Sequence, residues 1–170
     1  MLSKKIVKML NEQINKELYS AYLYLDFSNY LTEHGLPGYA NWYRIQALEE
    51  RDHAMLMYDY LHMNNVQVVF EAIDKPVFKA EGVKDVIKEA LKHEQLVTSW
   101  VHDIYAAAQE EKDFRTTQFL DWFVKEQGEE EANAQDIVTR TEVFGSDPKG
   151  LYLMDQELAG RTYVAPSLVL

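Results

Sequence analysis

Glu17, Glu50, His53, Glu94, Gln127 and Glu130 are the residues of this chain best equipped for metal chemistry. Glu50 and His53 stand three apart in Glu50-Arg51-Asp52-His53, a spacing that puts both side chains on one face of a helix. Carboxylates with an imidazole suit iron or manganese and also bind zinc, and open coordination positions admit oxygen chemistry. Four-helix bundles can build such a site for a pair of iron ions from carboxylates and Glu-x-x-His arrangements projecting inward. Tyr24 is a helical neighbour of the cluster. It can be plain core, or it can hydrogen-bond a ligand carboxylate and take part in electron transfer.

The positions of these residues depend on long helices. The first pattern runs from about Ser3, a plausible N-cap, to Thr32, with His34-Gly35-Leu36-Pro37-Gly38 as the stop. Leu10, Ile14, Glu17, Ala21, Tyr24, Ser28 and Leu31 follow steps of three and four and define its stripe. The second runs from about Tyr39 to Asn64, with Gln46, Glu50, His53 and Met57 as its stripe and Asn64-Asn65 as terminator. Residues Val66 to Glu81 lose the helical period, and Asp74-Lys75-Pro76 punctuates them. A connection that long can cross from one end of a bundle to the other, leaving helices two and three parallel. The third pattern runs from about Val83 to Glu110 with Glu94 central. The fourth runs from near Asp113 to Phe144 with Phe119, Phe123, Gln127, Glu130, Ala134, Ile137 and Thr141 in line. Gly145-Ser146-Asp147-Pro148 ends it. A short fifth helix is expected over about 149–159, followed by an extended, apolar tail over 160–170. The expected fold is all-α: one domain over 1–170, a four-helix bundle over about 3–144 with one long crossover and a short C-terminal helix.

A carboxylate on a buried stripe is costly, because removing an isolated charge from water costs several kcal/mol even after relaxation. For Glu17 or Glu94 alone, a salt bridge or a slightly misdrawn stripe is the simpler account. Joint occurrence changes this: all four helices carry an acidic or amide group near their midpoints, hence at similar depth. No central Lys or Arg is visible to neutralise them, since Arg51 points roughly 100° away from Glu50 on an ideal helix. Cations from solvent are the natural counter-charge. His34, His62, His93 and His102 read as exposed or helix-end histidines, and Trp122 as packing with a possible redox role. The Glu126, Glu129, Glu130, Glu131 run would ordinarily be a solvated face. Glu130 escapes that account because it shares the stripe with Gln127.

With 170 residues the chain can bury a real core, and 47% hydrophobic and 26% charged residues suit a soluble globular protein. It has no cysteine, which excludes disulfides, iron–sulfur clusters, cysteine-ligated zinc and a thiol nucleophile. The formal net charge of −11 makes nucleic acid an unfavourable partner. No run approaches the roughly 18 apolar residues of a spanning helix, so no membrane partner is expected. Met1-Leu2-Ser3-Lys4-Lys5 leads straight into an amphipathic pattern, and a cytoplasmic protein is the simplest reading.

The combination of Glu17, Tyr24, Glu49-Glu50-x-x-His53, His93-Glu94 and Glu126-Gln127-x-Glu129-Glu130 resembles the ferritins, specifically the non-haem ferritins of bacteria. The resemblance runs from Leu2-Ser3-Lys4 through Leu10-Asn11-Glu12-Gln13 to Gly150-Leu151-Tyr152-Leu153. It implies that Glu17 and His53 hold a first ferroxidase iron, that Glu50 bridges, and that Glu94 and Glu130 reach a second. It further implies that Gln127 shapes the oxygen-binding side by hydrogen bonding, and that Glu49, Glu126, Glu129 and Glu130 form a third iron site. Haem is not expected: Arg51 replaces the methionine that the haem-containing branch carries after its bridging glutamate, and Gln127-x-x-Glu130 replaces its fourth-helix Glu-x-x-His. Rubrerythrins need a cysteine-ligated iron that this chain cannot make. The small DNA-binding ferritins place iron between subunits and usually lack the fifth helix.

The implied activity is ferroxidase: oxidation of Fe(II) by O2, or by H2O2, and deposition of ferric oxide-hydroxide inside a homo-oligomeric shell of twenty-four subunits. Exposed-side aromatics Tyr39, Trp42 and Tyr43, together with the apolar tail, are consistent with self-association. Acidic residues at the third junction, Glu110, Glu111 and Asp113, read as capping and solvation before they read as a pore. Two other readings compete on the residues alone. One is a two-metal redox enzyme acting on a small substrate, and the other is a non-enzymatic bundle holding stray divalent ions.

Overall fold

Ser3 opens the bundle by accepting the Ile6 backbone N–H on its Oγ at 3.2 Å, which satisfies one of the helix's unpaired amino-terminal donors. The computed structural model describes residues 2–169, and among them five helices. Helix α1 (Lys4–Glu33) ends at His34, and Gly35 follows at φ +74°, a left-handed conformation that costs glycine nothing. Helix α2 (Pro37–Met63) begins two residues earlier than the Tyr39 start that the sequence suggested. Pro37 sits in its first turn, where a missing N–H is harmless. No local side chain caps this end. Instead Asp155, 117 positions away, accepts the Gly38 and Tyr39 N–H groups at 2.7 and 3.0 Å. The approach is so close that a Cβ at Gly38 would lie 1.6 Å from the Asp155 carbonyl oxygen. The sequence signal for a stop at Pro37-Gly38 was therefore the start of a helix capped from afar.

Asn65, at φ 58°, terminates α2 as the Asn64-Asn65 pair suggests. Helix α3 (Val83–Glu110) and helix α4 (Phe114–Phe144) are joined by a tight turn in which Asp113 accepts the Thr116 N–H at 3.2 Å and its hydroxyl at 2.6 Å. Helix α5 (Pro148–Leu158) is capped by Asp147, which accepts from Gly150 N at 2.7 Å.

The crossover between α2 and α3 contains no helix and lies along α1. Asn11 Oδ1 accepts from Val69 N at 2.8 Å, Asn15 donates to the Glu71 and Ala72 carbonyls, and Tyr30 Oη donates to the Ala80 carbonyl at 3.3 Å. The anchors Asn11 and Tyr30 are roughly 28 Å apart at 1.5 Å per residue, so the segment traverses much of the bundle's length.

Two apolar blocks fill the interior. One gathers Ile6, Leu10, Ile14, Met57, Leu61, Val101, Ile104 and Phe123. The other gathers Leu23, Phe27, Leu31, Tyr39, Tyr43, Ile87, Ile137 and Leu158. Each fully buried large side chain contributes roughly 1.5–3 kcal/mol, so these blocks carry the stability that a polar layer between them costs. Tyr39 and Tyr43 are buried, contrary to the exposed-side reading, and Trp42 is half-buried. Tyr39 is drawn inward because its hydroxyl pairs with Thr141 Oγ1 at 2.8 Å, and Tyr43 stacks on Tyr24. The tail has no regular structure over 160–169; Leu170 lies outside the described residues. No described helix is long and apolar enough to cross a membrane.

Candidate metal centre

Four helices deliver polar side chains to the space between the apolar blocks. Glu17 comes from α1, Glu50 and His53 from α2, Glu94 from α3, and Gln127 and Glu130 from α4, and all six are buried. Ligand atoms of Glu17, Glu50 and His53 lie within 4.8 Å of one another, near enough to share a cation. The group His53, Glu126 and Glu130 meets the same limit, so His53 belongs to both.

The layer is finished unevenly. Tyr24 Oη donates to Glu94 Oε1, and Gln127 Nε2 donates to Glu94 Oε2 at 3.2 Å. Gln46 Nε2 donates to Glu130 Oε2 at 2.7 Å and, more weakly, to Glu50 Oε1 at 3.4 Å. On the α1 side Gln13 Nε2 donates to Glu17 Oε1 at 2.8 Å. Glu17 Oε2 and Glu50 Oε2, however, are buried with no hydrogen-bond partner among the described residues. An unserved buried carboxylate oxygen is costly while ionised, and Glu17 and Glu50 ease that cost by holding a proton between them. A divalent cation beside His53 would remove that cost, so the donor set fits iron, manganese or zinc.

Burial dominates the electrostatics. It pushes Glu17 up to about 8, with the Glu50 charge adding to it. Glu130 is pushed up to about 8 by burial and then by Glu94. Burial lifts Glu94 to about 7, against the hydrogen bonds from Tyr24 and Gln127 that hold it down. Glu50, facing both Glu94 and Glu130, is raised well above the carboxylate range, again chiefly by burial. Such acids hold protons near neutrality, and cations that bind them must displace those protons.

The remaining candidates divide. Glu49 and Glu126 are half-buried at the edge of the layer. Glu129 is exposed, joins neither ligand group, and pairs with Lys125 at 3.4 Å. Trp122 packs edge-on to His53 at 5.5 Å between centroids, and its Nε1 donates to Ser167 Oγ at 3.0 Å. Tyr24 is fully enclosed, stacked on Tyr43. Arg51 turns outward to Asp52. His34, His62 and His102 are exposed, in line with the sequence reading.

His93 departs from that reading. It is buried in mid-helix, its Nε2 is 2.7 Å from Ser20 Oγ, and burial lowers it to about 4. The small Ser20 on α1 leaves room for the ring, a pairing across 73 residues that helical spacing does not reveal. Gln13 was also overlooked, although its place four residues before Glu17 was a legible signal. Arg161 was invisible to helical periodicity because it lies in the tail. It supplies a cationic partner that the sequence reading did not find, donating to Glu49 Oε2 at 2.5 Å.

Fold and donor set together define a class: four-helix bundles with a buried cluster of carboxylates and histidine that could hold metal. The family model for the ferritin-like domain matches residues 7–144. The chain is 39% identical over 156 residues to the bacterial non-heme ferritin of Campylobacter jejuni, covering 92% of this chain and 93% of that one. It is 37% identical over 158 residues to a probable bacterial non-heme ferritin-like protein of Haemophilus influenzae, covering 93% and 96%. Among solved structures it is similar to an open-pore ferritin from the archaeon Archaeoglobus fulgidus, with a TM-score of 0.92, 41% identity, and coverage of 95% of this chain and 98% of the other. The chain belongs to the ferritin family.

Proposed function

We propose that this protein stores iron, oxidising Fe(II) at a centre within each subunit and depositing a ferric oxide-hydroxide mineral inside a hollow homo-oligomeric shell. The observation that carries this reading is the pair of buried, unserved oxygens of Glu17 and Glu50 beside His53. It is supported by relatives named non-heme ferritins over nearly the whole chain.

In this reading iron is substrate and cargo. Glu17 and His53 hold one Fe(II), Glu94 and Glu130 the other, and Glu50 reaches both. Two Fe(II) give up one electron each, and O2 takes both electrons and two protons to leave as H2O2. With H2O2 as oxidant the same two electrons and two protons give water. The chain's part is to hold two cations side by side and to neutralise charge as Fe(III) forms. Gln127 and Tyr24 keep Glu94 oriented between turnovers. Glu49, Glu126 and Glu130 would take a third cation leaving the pair, with Glu129 further out on the same helix face. The reading extends to twenty-four subunits in the cytoplasm.

Aerobic addition of Fe(II), followed by ferric absorbance and analytical ultracentrifugation, tests it. A very large particle that takes up far more iron than two ions per chain is expected. A small oligomer that saturates at two, or that turns over an organic substrate, would overturn the storage reading.

A further inference from the structure

At the edge of the layer, where Glu49 feels the charge of Glu126, a guanidinium is seated on Glu49. Arg161 lies three residues beyond α5 and folds back onto α2. Its Nη2 donates to Glu49 Oε2 at 2.5 Å, and its Nη1 donates to Gln46 Oε1 at 2.9 Å and to the Trp42 carbonyl at 3.3 Å. The guanidinium also lies over the Trp42 ring, 4.0 Å from its centroid. The Arg161 and Glu49 side chains are only 16% and 17% exposed. A planar fork matched to a carboxylate, an amide and an aromatic face is a built arrangement that a lysine would not reproduce.

The rest of the tail is fastened across the same side. Asn41 Nδ2 donates to the Arg161 carbonyl at 3.1 Å, Tyr163 Oη donates to Asp52, and Ser167 accepts from Trp122. Leu168 packs against the apolar block that contains Phe123. The strap therefore passes from α2 to α4.

Two physical consequences follow. Because Gln46 Oε1 accepts from Arg161, its Nε2 must face inward, where it donates to Glu130 and Glu50. Arg161 thus acts through one amide on carboxylates from two helices. Its positive charge also satisfies Glu49, so a further cation approaching Glu49 and Glu126 meets a like charge already in place. We infer that Arg161 is a tethered counter-ion and positioning residue that keeps the Glu49–Glu126 side closed to a third cation until the guanidinium moves away. This rests on reading the buried centre as a site for two cations.

Calorimetric titration of Zn(II), which is redox-inert, into the metal-free assembled protein separates the two claims. Wild type should bind two Zn(II) per chain, the first more tightly than the second, and a third more weakly than both. Arg161→Gln should tighten the third by about tenfold or more and, because Gln46 loses the partner that turns its Nε2 inward, weaken the first two by up to about threefold. Arg161→Lys keeps the charge beside Glu49 but not the fork to Gln46, and should tighten the third cation clearly less than Arg161→Gln does. An unchanged third affinity in Arg161→Gln, or equal tightening in Arg161→Lys, overturns the inference. Wild type without two sites tighter than the third would bring down the two-cation reading, and the inference with it. Should Arg161→Gln fail to assemble, anomalous diffraction from wild-type crystals soaked in excess Zn(II) decides. Zinc between Glu49 and Glu126 with Arg161 displaced supports the gate, and zinc there with the Arg161–Glu49 pair intact refutes it.

Discussion

Glu17 and Glu94 are buried glutamates in the same polar layer, yet they are held in different ways. Both oxygens of Glu94 are served by the protein, one by Tyr24 and one by Gln127. Only one oxygen of Glu17 is served, by Gln13, and the adjacent Glu50 likewise has one buried oxygen with no partner. The α3–α4 half is thus pre-positioned without metal, whereas the α1–α2 half is incomplete without it. A cation gains more by completing the second than by joining a carboxylate that the first already serves. The expected order is tight binding by Glu17, Glu50 and His53, then weaker binding toward Glu94.

The largest effect should come from removing the residue that joins the halves. Glu50→Ala is expected to reduce Fe(II) oxidation by at least about a hundredfold, to the background rate, in stopped-flow absorbance, with His53→Ala similar. Retention of near wild-type rates would break the comparison outright.

Next in size is a trade between stability and binding. Glu17→Gln removes an incompletely served acid and should raise the stability of metal-free protein at pH 8 by about 1–3 kcal/mol in chemical denaturation, while abolishing stabilisation by Zn(II). A related pH dependence follows. Glu17 and Glu130 hold their protons up to about 8 when folded and only to about 4.5 when unfolded. Folding therefore takes up protons between those limits, and metal-free stability falls as pH rises through them. His93, lowered from 6.5 to about 4, acts oppositely, but only below its unfolded value. The fall in Tm should be clearest between pH 6.5 and 8, and saturating Zn(II) should reverse it.

Smaller again is the effect of loosening the served half. Tyr24→Phe removes one donor to Glu94 and should weaken the second cation by about tenfold, leaving the first unchanged, as read by titration. Equal weakening of both would erase the distinction between the halves. The smallest effect is expected at Glu129, exposed and paired only with Lys125. Glu129→Ala should change stability by less than about 0.5 kcal/mol and spare the initial two-iron oxidation.

Much of this was legible from spacing. Glu17, Glu50, His53, Glu94, Gln127 and Glu130 lie on stripes that the steps of three and four expose, and those stripes face one another because each helix is long and apolar on either side of its midpoint. What escaped has a common physical cause: partners distant in the chain. The α2 start depends on Asp155 in α5, the burial of His93 depends on Ser20 in α1, and the charge balance at Glu49 depends on a tail arginine. Helical period carries no information about any of them. Tyr39 was misjudged for the same reason, since its hydroxyl finds Thr141 on another helix.

Anomalous diffraction from crystals soaked anaerobically with Fe(II) puts the central claim to its most direct test. Iron bound by Glu17, Glu50 and His53, with a second, less occupied ion toward Glu94 and Glu130, is the expected result. Iron confined to exposed carboxylates such as Glu129, with Glu17 and Glu50 still unligated, would contradict it.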